Sequence, residues 1–230
     1  AQKADEAAEL AATGFFGGLL SGILVTVLGL LFLTPLAKAL GSTDTILPFT
    51  KEYLGIILLG APFMTSQFIL NNQLRFQGNA FYAMIGVTIG AVLNIILDPI
   101  FIFVFNMGIG GAALATIFSQ SVSFVILLIG VRISGCIPIR LRNIRLSKER
   151  LGEISGGGLP SLCRQGLASI ATMTLNLGAN PYGDAAIAAM SIVGRITMFA
   201  GSALIGFGQG FQPVCGFNYG AKKYDRVREA

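Results

Sequence analysis

The 230-residue chain has no histidine, no tryptophan and few charged residues. Charged residues make up 12% of it, whereas soluble domains carry about 25%. The absence of imidazole excludes a histidine-based metal centre, and the acidic residues are not clustered as a divalent metal would require. The three cysteines lie within or beside apolar segments, so a disulfide framework is not expected. The composition therefore excludes an ordinary soluble domain.

What the chain has in abundance is apolar sequence, which makes up 53% of its residues. Runs of roughly 20 apolar residues can cross a bilayer core of about 30 Å. Backbone polar groups in lipid must be satisfied within the segment, so these runs are predicted to be helices. Because tryptophan is absent, phenylalanine and tyrosine would have to form the interfacial belts. We predict an all-α polytopic membrane protein, not an enzyme, with six transmembrane helices at residues 14–36, 54–74, 81–105, 110–131, 154–177 and 185–211.

The positive charges fall on one side of the predicted membrane. With the N-terminus inside, the inner loops contain twelve basic residues and the outer loops contain two, Lys38 and Lys51. Such asymmetry sets the orientation of membrane proteins. We therefore expect a multi-pass protein of the cell membrane with both termini of this chain in the cytoplasm. The net charge of +5 reflects this asymmetry and does not indicate a nucleic-acid partner. The inner basic residues are Lys3, Arg75, Arg132, Arg140, Arg142, Arg145, Lys148, Arg150, Lys222, Lys223, Arg226 and Arg228.

Small residues are concentrated in two of the predicted spans. Residues 17–22 and 86–90 are rich in glycine, which lets helices approach each other closely in a membrane. We expect helix contacts at both stretches.

One acidic residue, Asp98, lies in the middle of an apolar span. The region from residue 79 to residue 131 contains no lysine or arginine that could neutralise it. A carboxylate in hydrocarbon costs several kcal/mol, so it usually binds a cation, carries a proton or pairs with a neighbour. The sequence therefore predicts either a cation or proton site at Asp98, or a structural acid neutralised by hydrogen bonds.

Other oxygen-bearing side chains surround this position in sequence. Asn94 lies four residues earlier, on the same face of a helix. Pro99 removes a backbone donor and is predicted to act as a helix hinge. In the next span, Thr116 could add a hydroxyl oxygen, and Ser119 and Gln120 could add further oxygens. An all-oxygen set suits Na⁺ or a proton, and no other metal or cofactor is predicted.

Arg164 and Arg195 are the basic residues inside the fifth and sixth predicted spans. Each could extend to the interface, pair within the protein, line a cavity or contact a substrate, and structural pairing or cavity lining is the expectation. Gln165 beside Arg164 could hydrogen-bond between helices. We therefore predict that Arg164, Gln165 and Arg195 are polar cavity residues.

The longest polar stretch, residues 132–153, alternates leucine and isoleucine with basic residues. This pattern is typical of an interfacial segment or of an ordinary cytoplasmic loop. The last ten residues also resemble the first ten at four positions, which favours a duplicated architecture. We therefore expect residues 136–153 to link two halves.

Several motifs resemble those of the MATE (multidrug and toxic compound extrusion) family. They are residues 93–99 (LNIILDP), 110–116 (GGAALAT) and 208–223 (GQGFQPVCGFNYGAKK), supported by residues 60–63 and 74–79. The resemblance implies that the chain is part of a twelve-helix, two-lobe transporter and is similar to its helices three to eight. Residues 1–135 would then be the last four helices of the N-terminal lobe, 136–153 the linker and 154–230 the first two helices of the C-terminal lobe.

The resemblance also implies an activity and a site. MATE transporters exchange Na⁺ or H⁺ for organic cations, and the ion site of the N-terminal lobe is similar to Asn94, Asp98 and Thr116. The family site also uses an acid on the first helix, outside this chain. Residues 160–169 lack the glutamate that some members place in helix seven, which favours coupling in the N-terminal lobe.

Three hypotheses follow for the function. The first is a multidrug exporter whose partners are organic cations or drugs, the bilayer and the remaining helices of the full-length transporter. The second is a flippase for lipid-linked oligosaccharides, which would need several cationic residues to meet a diphosphate. The third is a membrane scaffold or receptor, which the uncompensated Asp98 argues against.

Overall fold

A computed structural model describes residues 2–137, 141–143 and 148–229. Within these ranges every regular element is helical, which confirms the predicted all-α class. A π-helical segment spans Ile100–Val104, and 3₁₀ turns span Leu141–Asn143 and Asn180–Tyr182. The helices are α1 (Gln2–Leu31), α2 (Leu33–Ala39), α3 (Leu47–Leu59), α4 (Ala61–Phe76), α5 (Ala80–Pro99), α6 (Gly108–Ile133), α7 (Lys148–Ala179), α8 (Asp184–Gly220) and α9 (Tyr224–Glu229).

Most of the predicted spans correspond to these helices. Among the described residues, four helical stretches are long and apolar enough to cross a membrane, or five if a bent pair counts as one span. The four belong to α1, to α5 with its π-helical extension, to α6 and to α8. The fifth predicted span falls within α7, which is long but more polar and is not among them.

The second predicted span is not one straight helix. The stretch at residues 54–74 is divided between α3 and α4, which meet at Gly60 with a bend of 53°. Pro62 explains the break, because it has no N–H to donate to the carbonyl of Leu58 one turn earlier. The hydroxyl of Thr26 on α1 donates to that carbonyl at 2.6 Å. A neighbouring helix thus supplies a donor to the carbonyl that Pro62 leaves without its usual helical one.

Glycine brings α1 against this bend. A Cβ atom added at Gly22 would lie 2.7 Å from Cα of Pro62, and one at Gly18 would collide with Ile69. The prediction that residues 17–22 form a close helix contact is confirmed.

Among α1 to α6, the buried core lies around α4 and α6. On α4, Ser66, Leu70 and Leu74 are buried at four-residue intervals. The buried face of α6 carries the same spacing, from Ala115 through Ser119 and Ser123 to Leu127. An apolar cluster at one end of these faces contains Phe15, Leu70, Leu74, Ala83, Leu127, Val131 and Cys136.

Backbone packing divides the chain into two units, one up to Met173 and one from Thr174. In the second unit, α8 contains no buried residue. The helix α7 begins at Lys148, inside the predicted linker, whose residues 138–140 and 144–147 lie outside the described residues. The predicted domain boundaries refer to the lobes of a complete transporter and stay a prediction.

Candidate ion-coupling site

Asp98 and Asn94 form a hydrogen-bonded pair on α5. The amide nitrogen of Asn94 donates to Oδ1 of Asp98 at 3.2 Å, and both side chains are half-buried. Between them, Ile95 and Ile96 are exposed. The four-residue spacing therefore places the two polar groups on the less exposed face of an otherwise apolar helix, as the sequence predicts.

Small residues hold α5 tightly against α6. A Cβ atom at Gly86 would lie 2.5 Å from Leu127, and one at Gly90 would lie 2.8 Å from Cβ of Ser123. The hydroxyl of Ser123 also donates to the carbonyl of Gly86 at 2.8 Å. The prediction of a close contact at residues 86–90 is confirmed.

The same contacts fix the register at the candidate site. Gly86 faces Leu127 and Gly90 faces Ser123. The two helices are therefore antiparallel, and moving four residues forward along α5 corresponds to moving four residues backward along α6. Extended by one and two turns, the same register predicts that Asn94 lies at the level of Ser119 and that Asp98 lies at the level of Ala115, the residue before Thr116. Farther along, a Cβ atom at Gly111 would lie 2.8 Å from the carbonyl oxygen of Phe101, which continues the register.

Thr116 therefore lies at the level of Asp98. Its hydroxyl donates to the carbonyl of Ala112 at 2.9 Å, within its own helix. The hydroxyl oxygen keeps lone pairs that can accept a hydrogen bond or coordinate a cation. Carboxylate, amide and hydroxyl oxygens are the ligands that a hard cation prefers.

The environment of Asp98 differs from that of another aspartate in the chain. Asp44, whose side chain is 89% exposed, lies 3.2 Å from Nζ of Lys38. Asp98 is half-buried, accepts its hydrogen bond from a neutral amide and lies in a region without basic residues. An exposed ion pair is largely satisfied by water and contributes little to stability, whereas no described basic residue pairs with Asp98.

Pro99 is the last residue of α5, and the helix continues with π-helical geometry over Ile100–Val104. Widened turns of this kind often occur at functional sites. Pro99 marks a change of helix geometry directly after the carboxylate, and its role as a hinge stays a prediction.

The predicted cavity residues are exposed. Arg164 and Gln165 lie on α7 and Arg195 on α8, and all three side chains are accessible within this chain. Among the described residues of the first unit, neither Arg164 nor Gln165 is hydrogen-bonded to the pair on α5. Their roles stay predictions.

Ser66 on α4 is not predicted from the sequence, and it has a buried hydroxyl without a hydrogen-bond partner among the described residues. Its spacing of four residues from Leu70 is the signal that the sequence offers for its burial. The sequence predicts Ser119 only as a further source of oxygen, and its burial depends on the helices that pack against α6.

Comparison with known proteins decides the family. The MatE family profile matches residues 1–100 and 160–230, which is more than half of the chain. The chain belongs to the MATE family. Asn94 and Asp98 lie in the first matched range, and the residues Arg164, Gln165 and Arg195 lie in the second.

Similar proteins are named as transporters. The multidrug export protein MepA of Staphylococcus saprophyticus is 35% identical over 209 residues, which are 90% of this chain and 46% of the relative. A MATE family multidrug resistance transporter in an inward-facing conformation matches with a TM-score of 0.83 and 29% identity, over 99% of this chain and 52% of that one.

A second solved structure matches equally well. It is a MOP superfamily transporter from Pyrococcus furiosus, reported with a binding pocket of reverse polarity that suggests a different function. Its TM-score is 0.83 at 30% identity, over 96% of this chain and 50% of that one. The chain thus spans about half the length of the relatives it matches. This MATE chain is a multi-pass membrane protein, and the transport activity of its named relatives agrees with the prediction that it is not an enzyme.

Proposed function

We propose that the chain is part of a secondary active multidrug exporter that exchanges Na⁺ or H⁺ for organic cations or drugs by alternating access. One observation carries the proposal: Asp98 is half-buried in an apolar helix, and its described partner is the neutral amide of Asn94. An uncompensated carboxylate at this depth is costly unless a cation or a proton occupies it.

The site supplies the parts that ion coupling needs. Asp98 holds the ion, and Asn94 and Thr116 coordinate it or orient the carboxylate. When the ion neutralises Asp98, the cost of keeping the carboxylate away from water falls, which favours a more closed arrangement of the helices around it. Pro99 and the π-helical segment after it are the place where α5 bends in response.

The substrate class rests on charge. The fold is shared with a transporter whose binding pocket of reverse polarity suggests a different function, so the fold alone does not select the substrate. A flippase for lipid-linked oligosaccharides would need several cationic residues to meet a diphosphate, and the predicted spans hold two, Arg164 and Arg195. An acidic ion site with few basic groups is better suited to the export of organic cations. The remaining helices of the transporter would complete both lobes, and the termini of this chain would face the cytoplasm.

The test is ethidium efflux by the full-length transporter in liposomes, with Na⁺ and pH gradients imposed separately. Asp98→Asn should abolish ion-driven efflux while leaving the protein in the membrane, because the amide keeps the shape of the side chain but removes its charge. Asp44→Asn is the matched control, since it removes an exposed and paired carboxylate, and it should retain efflux. Normal ion-driven efflux by Asp98→Asn would contradict the proposal.

A further inference from the structure

Ser119 on α6 has a hydroxyl that the fold leaves unsatisfied. The residue is 1% exposed, and its Oγ has no hydrogen-bond partner among the described residues. Serine and threonine in helices commonly donate to the carbonyl one turn earlier, as Thr116, Ser121 and Ser134 do on the same helix. A buried hydroxyl without a protein partner is costly, which makes it a candidate to bind a water molecule, an ion or a ligand.

The register of α5 against α6 predicts that Ser119 lies at the level of the candidate ion site. A Cβ atom added at Gly90 would lie 2.8 Å from Cβ of Ser123 and 3.3 Å from the backbone oxygen of Ser119. Asn94, which donates to Asp98, lies one turn farther along α5, so the same register extended by one turn brings it to the level of Ser119. Ser119 is also three residues from Thr116, so the two hydroxyls share one face of α6.

We propose that Ser119 is a further ligand of the ion held by Asp98, with its hydroxyl oxygen coordinating Na⁺ directly or accepting a hydrogen bond from the hydrated proton. The proposal rests on the proposed function and extends it, because it adds an oxygen to the predicted set of Asp98, Asn94 and Thr116. The oxygen set then contains a carboxylate, an amide and two hydroxyls, which suits a hard monovalent cation or a hydrated proton.

The hydroxyl of Ser119 is not used to hold the fold together. The contact that ties α5 to α6 by a side-chain hydrogen bond is made by Ser123, one turn away. Removing an unsatisfied buried hydroxyl from a position that fits alanine should therefore leave stability unchanged or raise it. A ligand role and a structural role for Ser119 therefore predict different effects of Ser119→Ala on stability.

Ser66 provides a matched control for Ser119. It is equally buried, and its Oγ also lacks a described partner. It lies on α4, which carries none of the proposed ion ligands.

The experiment compares Ser119→Ala, Ser66→Ala and Asp98→Asn in the full-length transporter reconstituted in liposomes. Ethidium efflux is measured against increasing Na⁺ in one arm and increasing H⁺ in the other, and the melting temperature of each purified variant is recorded. In the arm that drives transport, Ser119→Ala should raise the half-saturating ion concentration about fivefold, which corresponds to about 1 kcal/mol. Its maximal rate and melting temperature should not fall, and Ser66→Ala should stay within about twofold of the parent.

Three outcomes would overturn the ligand role of Ser119. They are an unchanged half-saturating concentration in Ser119→Ala, an equal shift in Ser66→Ala, or a lower melting temperature in Ser119→Ala. If Asp98→Asn abolishes efflux while Ser119→Ala behaves like the parent, only the ligand role of Ser119 fails. Normal efflux by Asp98→Asn would remove the proposed function itself.

Discussion

At the scale of single residues, the two aspartates Asp44 and Asp98 lie in opposite environments. Asp44 is exposed and paired with Lys38, so its charge is solvated and partly compensated. Asp98 is half-buried and hydrogen-bonded to the amide of Asn94. An amide offers a dipole and no positive charge, so the carboxylate keeps its attraction for a cation. That difference separates a surface ion pair from the proposed coupling site within one chain.

The two neutral residues of the site should contribute unequally. Asn94→Ala removes a hydrogen bond to a charged group, worth about 1.5–3 kcal/mol. In Thr116→Ala the lost hydroxyl already bonds to Ala112, so the effect should be about 1 kcal/mol or less. We expect Asn94→Ala to raise the half-saturating ion concentration more than Thr116→Ala does. The measurement is ion-dependent ethidium efflux by the full-length transporter at matched expression.

Thr172 is a suitable control for Thr116. It makes the same bond within its helix, to the carbonyl of Ala168 at 3.0 Å, but it is exposed on α7. Thr172→Ala should leave the ion dependence unchanged. If neither Asn94→Ala nor Thr116→Ala shifts that dependence, the three residues do not form one site.

The sequence predicts the pairing within α5 but not the position of the α6 residues relative to it, and the reason is physical. The pairing of Asn94 with Asp98 follows from helical periodicity alone, because both residues lie on one helix. The levels of Thr116 and Ser119 depend on how α5 slides along α6, and that register is set by contacts at Gly86 and Gly90. Spacing within one helix contains no information about the register between two helices.

At the scale of elements, the bend between α3 and α4 is the main departure from the sequence-based spans. The length and apolarity of residues 54–74 are those of a single span, and these properties do not reveal where a helix breaks. Pro62 is a visible signal, but prolines are tolerated in straight membrane helices as well. The 53° bend is accompanied by a tertiary hydrogen bond that the sequence does not reveal, since Thr26 from α1 donates to the carbonyl of Leu58 that Pro62 cannot serve.

The contact between α1 and the bend should depend on one glycine. In Gly22→Ala the new Cβ would lie 2.7 Å from Cα of Pro62, which is backbone and cannot turn away. Overpacking of this kind costs about 1–3 kcal/mol. We expect a lower melting temperature for the purified 230-residue chain carrying Gly22→Ala.

Gly17 offers a control on the same helix, because nothing lies within 4 Å of a Cβ atom added there. Gly17→Ala should be neutral or stabilising, since alanine favours helix by about 1 kcal/mol relative to glycine. Equal melting temperatures for the two variants would contradict the close contact between α1 and α4.

At the scale of the whole molecule, composition and motifs predict the class and the family, but not every boundary. The shortage of charge and the apolar runs lead to the helical membrane class that the structure has. Composition alone does not identify α7 as a span, because its glycines and polar residues lower its apolar character.

The orientation in the membrane is the remaining whole-molecule prediction, and it rests on twelve inner against two outer basic residues. Cysteines introduced after replacement of the three native ones should react with an impermeant thiol reagent added to intact cells in Ser42→Cys and Asn180→Cys. Asn143→Cys, between α6 and α7, should react only after the cells are opened. Labelling of Asn143→Cys from outside intact cells would contradict the predicted orientation. The direction assigned to transport would then have to be reversed, because the inner and outer sides of the membrane are assigned from these charges.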